Sequence, residues 1–295
     1  MIQSLSYYLT LFVLKLKGIK KTFSIDPIDV QKIRKEDVHY PKASFFKKQT
    51  VRSFSISDSL ITEVQQAQKS RKLLIFIHGG AFISGPAQHH WDSLKGIHKQ
   101  TNHTIWMCDY PKAPENTITS LSNNIDEVFK TALEQYEPSQ IILFGDSVGG
   151  TLITALIQRL VENKSLLPKK IILVSPVMDA TLSNPQIDAL DPIDPMLSKK
   201  GVLSAKKMCA EKNDLKDPKI SPLYGSFQNF PHTVLFLASK DITYPDQVLA
   251  VAKLRKNKTP LAIIEGSNMP HIWPLLPVMK EAKTALKELI NHINN

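Results

Sequence analysis

Cysteine is nearly missing from this chain: Cys108 and Cys209 are the only two in 295 residues. That excludes a disulfide framework, and without a CxxC pair it excludes the usual thiolate zinc site. Cys108 lies in the apolar run Ile105–Cys108, where a small buried thiol is ordinary. The composition suits a reducing compartment, so a cytoplasmic location is expected. Glycine is scarce too: 11 Gly against 19 Pro points to rigid connections rather than low-complexity linkers. No repeat and no Ser/Gly-rich spacer marks a boundary, so one domain with insertions is expected.

Acidic residues are the other shortage, 27 Asp and Glu against 37 Lys and Arg, for a net charge of +10. Such an excess invites a nucleic-acid reading. The lysines, however, are scattered in pairs such as Lys169–Lys170 and Lys199–Lys200, with no aromatic-interleaved basic segment. A solvated lysine-rich surface without a nucleic-acid partner is expected, and an anionic membrane surface stays open. The stretch Leu5–Leu16 is apolar apart from Ser6, Thr10 and Lys15, and Lys17, Lys20 and Lys21 follow it. It is shorter than the about 20 residues that span a bilayer. A secretory signal carries its charge before the apolar run, whereas here the charge comes after. Two readings remain: a helix packed on the main domain, which is the expectation, or a weak interfacial anchor that places the protein peripherally at the membrane.

After Pro41 the chain alternates strand and helix. Val51, Phe54 and Ile56, then Ile61 and Val64, sit among polar neighbours as edge strands do. Continuous apolar runs follow at Leu73–Ile77, Ile105–Cys108, Ile141–Phe144, Ile171–Val174, Val234–Ala238 and Leu261–Ile264. Strands buried on both faces of a parallel sheet read this way. Helical stripes fall between them at Asn123–Glu137, Thr151–Val161, Gln247–Lys256 and Leu275–Ile290. This is the pattern of an α/β, mostly parallel, doubly wound sheet, in which sites form beyond the carboxyl ends of the strands. Asp179–Phe230 breaks the rhythm with Pro185, Pro192, Pro195, Pro218 and Pro222 and a helical stretch near Ser198–Glu211. We read residues 46–178 and 231–295 as the core, and 1–45 with 179–230 as a cap or lid.

The chemistry gathers at the expected edge. Gly145-Asp146-Ser147-Val148-Gly149 follows one strand directly and precedes a helix, the context of a G-x-S-x-G nucleophile elbow. His78-Gly79-Gly80 follows the strand Leu73–Ile77, and small residues there let backbone N–H groups face a reacting carbonyl together with that of Val148. A serine hydroxyl needs a base and an acid that orients the base. His271 follows the last strand and Asp241 the strand before it, in the chain order Ser, Asp, His. Asp246 is the rival acid, although it falls inside the next helix. His78 reads as scaffold for its loop, and His98 and His103 as surface positions. His89 and His90, being adjacent, are expected to point apart without a carboxylate, so no metal is expected.

Taken together, His78-Gly79-Gly80, Asp109-Tyr110-Pro111-Lys112-Ala113-Pro114-Glu115, Gly145-Asp146-Ser147-Val148-Gly149-Gly150 and the Asp241 and His271 segments resemble the hormone-sensitive-lipase-like esterases. The resemblance runs from about Leu73 to the C-terminus. It implies an α/β-hydrolase fold with about eight strands and a helical cap, and a cofactor-free serine carboxylesterase acting on small, short-chain acyl esters through an acyl-enzyme. It implies oxyanion N–H groups from Gly79, Gly80 and Val148. Asp146 corresponds to the family's structural acid and Glu115 to part of its loop-bracing network. Three departures bear on substrate range: Val148 where alanine is usual, Pro111-Lys112 where Arg-Leu is frequent, and Pro245 where a second acid often follows Asp241. An amidase or formamidase, a membrane-associated lipase and a catalytically silent ligand-binding relative are the alternatives. The sequence leaves open whether the protein is a homodimer.

Overall fold

A computed structural model describes residues 3–46, 50–66, 68 and 70–295. Eight strands make one sheet: β1 Val51–Ile56, β2 Ser59–Val64, β3 Leu73–Ile77, β4 Thr104–Asp109, β5 Ile141–Asp146, β6 Lys170–Val174, β7 His232–Ala238 and β8 Leu261–Gly266. Their order across the sheet is β1-β2-β4-β3-β5-β6-β7-β8. β2 runs antiparallel to both β1 and β4, and all other pairs are parallel. The helices are α1 Leu5–Leu16, α2 Ile19–Thr22, α3 Val30–Arg34, α4 Gln88–Gln100, α5 Ile118–Leu133, α6 Val148–Glu162, α7 Gln186–Leu190, α8 Lys199–Cys209, α9 Tyr244–Lys256 and α10 Lys280–Asn294.

Burial explains the continuous apolar runs. β3, β4, β5 and β6 are buried along their whole length. On one face Ile75, Leu143 and Leu173 share a core with Ile125 and Val128 of α5 and Leu152 and Leu156 of α6. On the other, Phe76, Phe144 and Phe236 pack with Trp91 and Leu94 of α4 and Leu289 and Ile293 of α10. Each such side chain contributes about 1.5–3 kcal/mol when fully removed from water. β8 departs from the reading as a doubly buried strand: it is the sheet's last strand, and Leu261–Ile264 are only half-buried. The last helix also starts later than expected, at Lys280. Pro274 and Pro277 confine residues 273–275 to a single 3₁₀ turn, because proline cannot continue an α-helical hydrogen-bond ladder.

The two segments expected to form a cap touch each other. Gly201 of α8 lies so close to the carbonyl of Phe23 that a Cβ would come within 1.9 Å of its oxygen. The Ile28 N–H donates to Ser204 Oγ at 3.0 Å. Lys20 Nζ donates to the carbonyls of Asp191 and Asp194. α1 packs on the core through buried Tyr7, whose hydroxyl donates to the Asn268 carbonyl at 2.8 Å, and through Ser4, which donates to Glu281. Its other side leaves Leu5, Tyr8, Leu9, Phe12 and Leu16 exposed. No helix among the described residues is long and apolar enough to cross a membrane.

Candidate active site

β5 turns into α6 at Ser147, whose backbone is held at φ 51°, ψ −122°. A non-glycine residue occupies that region only when its surroundings impose it. The flanking glycines follow from the crossing of this turn over β3. A Cβ at Gly149 would sit 1.9 Å from the Ile77 carbonyl oxygen, and one at Gly145 would sit 2.7 Å from the Gly149 carbonyl carbon. Ser147 is thereby placed at the carboxyl edge of the sheet, at the start of α6.

Asp241, in the loop after β7, and His271, in the loop after β8, converge on it. His271 Nδ1 lies 2.6 Å from Asp241 Oδ2, and His271 Nε2 lies 2.9 Å from Ser147 Oγ. With Nδ1–H donating to the carboxylate, Nε2 is left to accept from the serine hydroxyl. Asp241 is fixed in turn: its Oδ1 accepts from the Thr243 N–H and hydroxyl, both at 2.8 Å, and its Oδ2 accepts from Gln247 at 3.2 Å. Burial pulls the His271 pKa down, but the charge and hydrogen bond of Asp241, helped by Asp194 and Asp146, outweigh it and leave the pKa raised. The rival Asp246 stands in the first turn of α9 and accepts from Asn184 at 3.0 Å, apart from His271.

The loop after β3 corrects one assignment. The Gly79 N–H donates to Asp146 Oδ1 at 2.9 Å, so it is not free for an oxyanion. Among the described residues the N–H groups of Gly80 and Ala81 have no acceptor, and that of Val148 opens α6, where no intrahelical acceptor exists. Gly80 has φ 127° and Ala81 φ 55°, and a Cβ at Gly80 would come 2.1 Å from the Ser84 carbonyl oxygen. His78 is buried against Tyr110, ring centroids 4.5 Å apart, and burial pushes its pKa down to about 4, as befits a neutral scaffold residue.

Other histidines differ from the sequence reading as well. His89 and His90 do not point apart: their rings lie 3.9 Å apart, and with Asp146 they bring potential ligand atoms within 4.8 Å of one another. The cause is the start of α4. The Ala87 N–H donates to His90 Nδ1 at 2.8 Å, which turns the ring back so that Nε2 faces Asp146 at 3.4 Å. His98 and His103 are buried rather than superficial, since α4 packs its last turn against the sheet edge beside Gln65 and Gln66. Glu115 is exposed and accepts both terminal nitrogens of Arg34, which also donates to the carbonyls of Ile83 and Ala113. A brace thus runs from α3 to the two loops.

Asp194 has no counterpart in the sequence reading. It is buried; its Oδ1 accepts from the N–H groups of Met196 and Leu197, and its Oδ2 from Ile242, next to Asp241. Burial and the neighbouring Asp241 push its pKa up. The available signal was an aspartate two and three residues ahead of the N–H groups that donate to it, just before a helix. Ser147 is 8% exposed and His271 4%, so both are largely buried. A cavity of about 410 Å³ opens elsewhere, lined by Asp179, Tyr224 and Lys253 among others.

This arrangement belongs to a known class. Residues 74–275 match the family described as alpha/beta hydrolase fold, and the chain belongs to that family. An esterase from Acinetobacter venetianus is 31% identical over 186 residues, which are 62% of this chain and 61% of that protein. The match thus spans about three-fifths of the relative's length. A structure of a candidate esterase from Staphylococcus aureus superposes with a TM-score of 0.80 at 26% identity, covering 97% of this chain and 91% of that one. An esterase of the bacterial hormone-sensitive lipase family shares the fold, with a TM-score of 0.87 at 18% identity over 100% and 99% of the two chains.

Proposed function

We propose that this chain is a serine carboxylesterase acting on short-chain acyl esters through an acyl-enzyme. The observation that carries the reading is the unbroken run from Asp241 through His271 to Ser147 at 2.6 and 2.9 Å, beside backbone N–H groups that have no acceptor among the described residues. His271 takes the Ser147 proton as the oxygen attacks the ester carbonyl, and Asp241 holds the imidazole tautomer and steadies the imidazolium. The carbonyl oxygen, now negative, is met by the N–H groups of Gly80, Ala81 and Val148, each such donor being worth about 3 kcal/mol. His271 then returns the proton to the departing alkoxide. Water, activated the same way, frees the acid and restores Ser147.

The short acyl range follows the resemblance to the hormone-sensitive-lipase-like esterases, while Ser147 and His271 are largely buried, 8% and 4% exposed. Residues 1–45 and 179–230 act as the cap whose displacement admits substrate. The named activities of the Acinetobacter and Staphylococcus relatives point the same way. Matched ester and amide substrates separate this reading from an amidase, because an amine is the poorer leaving group. Steady hydrolysis of 4-nitrophenyl butyrate that Ser147→Ala abolishes is expected; full activity in that variant would sink the assignment.

A second reading concerns place rather than chemistry. We propose that α1 rests on an anionic lipid surface. Its exposed stripe of Leu5, Tyr8, Leu9, Phe12 and Leu16 is flanked by exposed Lys15, Lys17 and Lys21 in a chain of net charge +10.

A further inference from the structure

Among the described residues, Lys206 stands out as a fully buried amine. It lies on α8, is 0% exposed, and its Nζ has no hydrogen-bond partner among the described residues. Other lysines drawn into the fold find acceptors: Lys170 donates to the His292 carbonyl at 2.6 Å, and Lys20 to those of Asp191 and Asp194. What Lys206 touches instead is an aromatic face, with Nζ 4.1 Å from the centroid of the Phe82 ring. A ring quadrupole attracts a cation but does not replace an ion or a carbonyl as its partner.

The place matters as much as the missing partner. Phe82 stands two residues beyond Gly80, in the same left-handed turn as Ala81, at φ 68°. Lys206 therefore links α8 to the loop that carries the N–H groups of Gly80 and Ala81. The apolar residues around it, Ala205, Cys209 and Phe82, belong to the core on that face. Cys209, one turn away, brings no charge, because burial pushes its thiol up to about 12. Burial pushes the Lys206 amine down to about 7, and an anion arriving beside it would favour its charged form.

We infer that Lys206 is a specificity residue for esters that carry a carboxylate, its ammonium pairing with that group while the ester carbonyl sits at Ser147. The inference rests on the esterase reading and names the substrate class of that site. The carboxylate comes on the acyl side, as in a monoester of a dicarboxylic acid, or on the alcohol side. A lysine present only as an apolar stem would leave substrate choice unaffected when replaced by methionine.

The experiment compares full-length wild type, Lys206→Met and Lys206→Arg. The probes are 4-nitrophenyl monoesters of succinate and glutarate (carboxylate on the acid), 4-acetoxybenzoate (carboxylate on the leaving group), and neutral 4-nitrophenyl butyrate and phenyl acetate. The readout is the ratio of kcat/KM for each anionic ester to its neutral partner. That ratio is expected to fall at least about tenfold in Lys206→Met for one of the two placements and to stay near the wild-type value in Lys206→Arg. An unchanged ratio in a folded Lys206→Met overturns the inference, as does a wild type that discriminates against every carboxylate-bearing ester. Melting in the presence of glutarate gives an independent arm: wild type should be stabilised and Lys206→Met not. Absence of any ester hydrolysis with that shift intact would remove the esterase reading and leave the anion site. Absence of the shift as well would remove both.

Discussion

The Gly79 N–H donates to Asp146 Oδ1 at 2.9 Å, so the residue before Ser147 anchors the loop that faces Ser147. A Cβ at Gly79 would meet Asp146 Oδ2 at 2.3 Å and Ser147 Cβ at 3.0 Å, so the bond also fixes why glycine stands there. Asp146→Ala leaves a buried N–H without an acceptor and frees the loop. It should cost about 1–3 kcal/mol in urea unfolding. It should also lower kcat about 10–100-fold, through misplaced oxyanion donors. Unchanged kcat in the folded variant would show that the loop is held in place without Asp146.

Asp241→Asn tests the orienting acid. The amide cannot accept and hold the His271 Nδ1 proton as a carboxylate does, so kcat should drop about 10⁴-fold with little change in KM. Replacement of the rival Asp246 with Asn should leave kcat within a small factor of wild type. The reverse ranking would reassign the acid.

The pH dependence follows from the sign of the shift at His271. Its pKa is raised, so the imidazolium survives above the ordinary value of 6.5. Only neutral imidazole can accept the Ser147 proton, so kcat/KM should fall as pH is lowered through that raised value. Asp194 contributes to the rise through its charge. In Asp194→Asn the acid limb should therefore move to lower pH, which a kcat/KM profile from pH 5 to 9 would reveal. A limb that moves up, or stays, would mean that Asp194 only tethers its loop through Met196, Leu197 and Ile242.

For α1, co-sedimentation with vesicles of phosphatidylglycerol and of phosphatidylcholine gives the measurement. The protein should partition to the anionic vesicles, less so as salt rises, and Phe12→Ser with Leu16→Ser should release it. Equal partitioning of wild type and variant would place the stripe against something other than lipid, and concentration-dependent sedimentation velocity would then test a second copy of the chain.

The strands and the three converging side chains were legible because their signals are local. Apolar runs such as Ile141–Phe144 report burial on both faces of a sheet. Ser147, Asp241 and His271 each follow a strand directly, so the parallel topology alone brings them to one edge. What escaped the sequence depends on contacts made across the fold. The direction of the Gly79 N–H is set by Asp146, 67 residues away. The turn of the His90 ring depends on the Ala87 N–H, and the burial of His98 and His103 on the packing of α4. Asp194 precedes, and Lys206 lies on, the helical stretch read near Ser198–Glu211, but the tether to Ile242 and the approach to Phe82 are contacts with distant segments that a local pattern does not carry. The shift of α10 to Lys280 was readable in principle, since Pro274 and Pro277 were in view.

The central claim is an activated serine at position 147, and labelling with a fluorophosphonate probe tests it most directly. Wild type and His271→Ala are treated alike, and the modified peptide is located by mass spectrometry. The account predicts one label per chain on Ser147, nearly lost in His271→Ala. Labelling at another residue, or none on the folded wild-type protein, would contradict it.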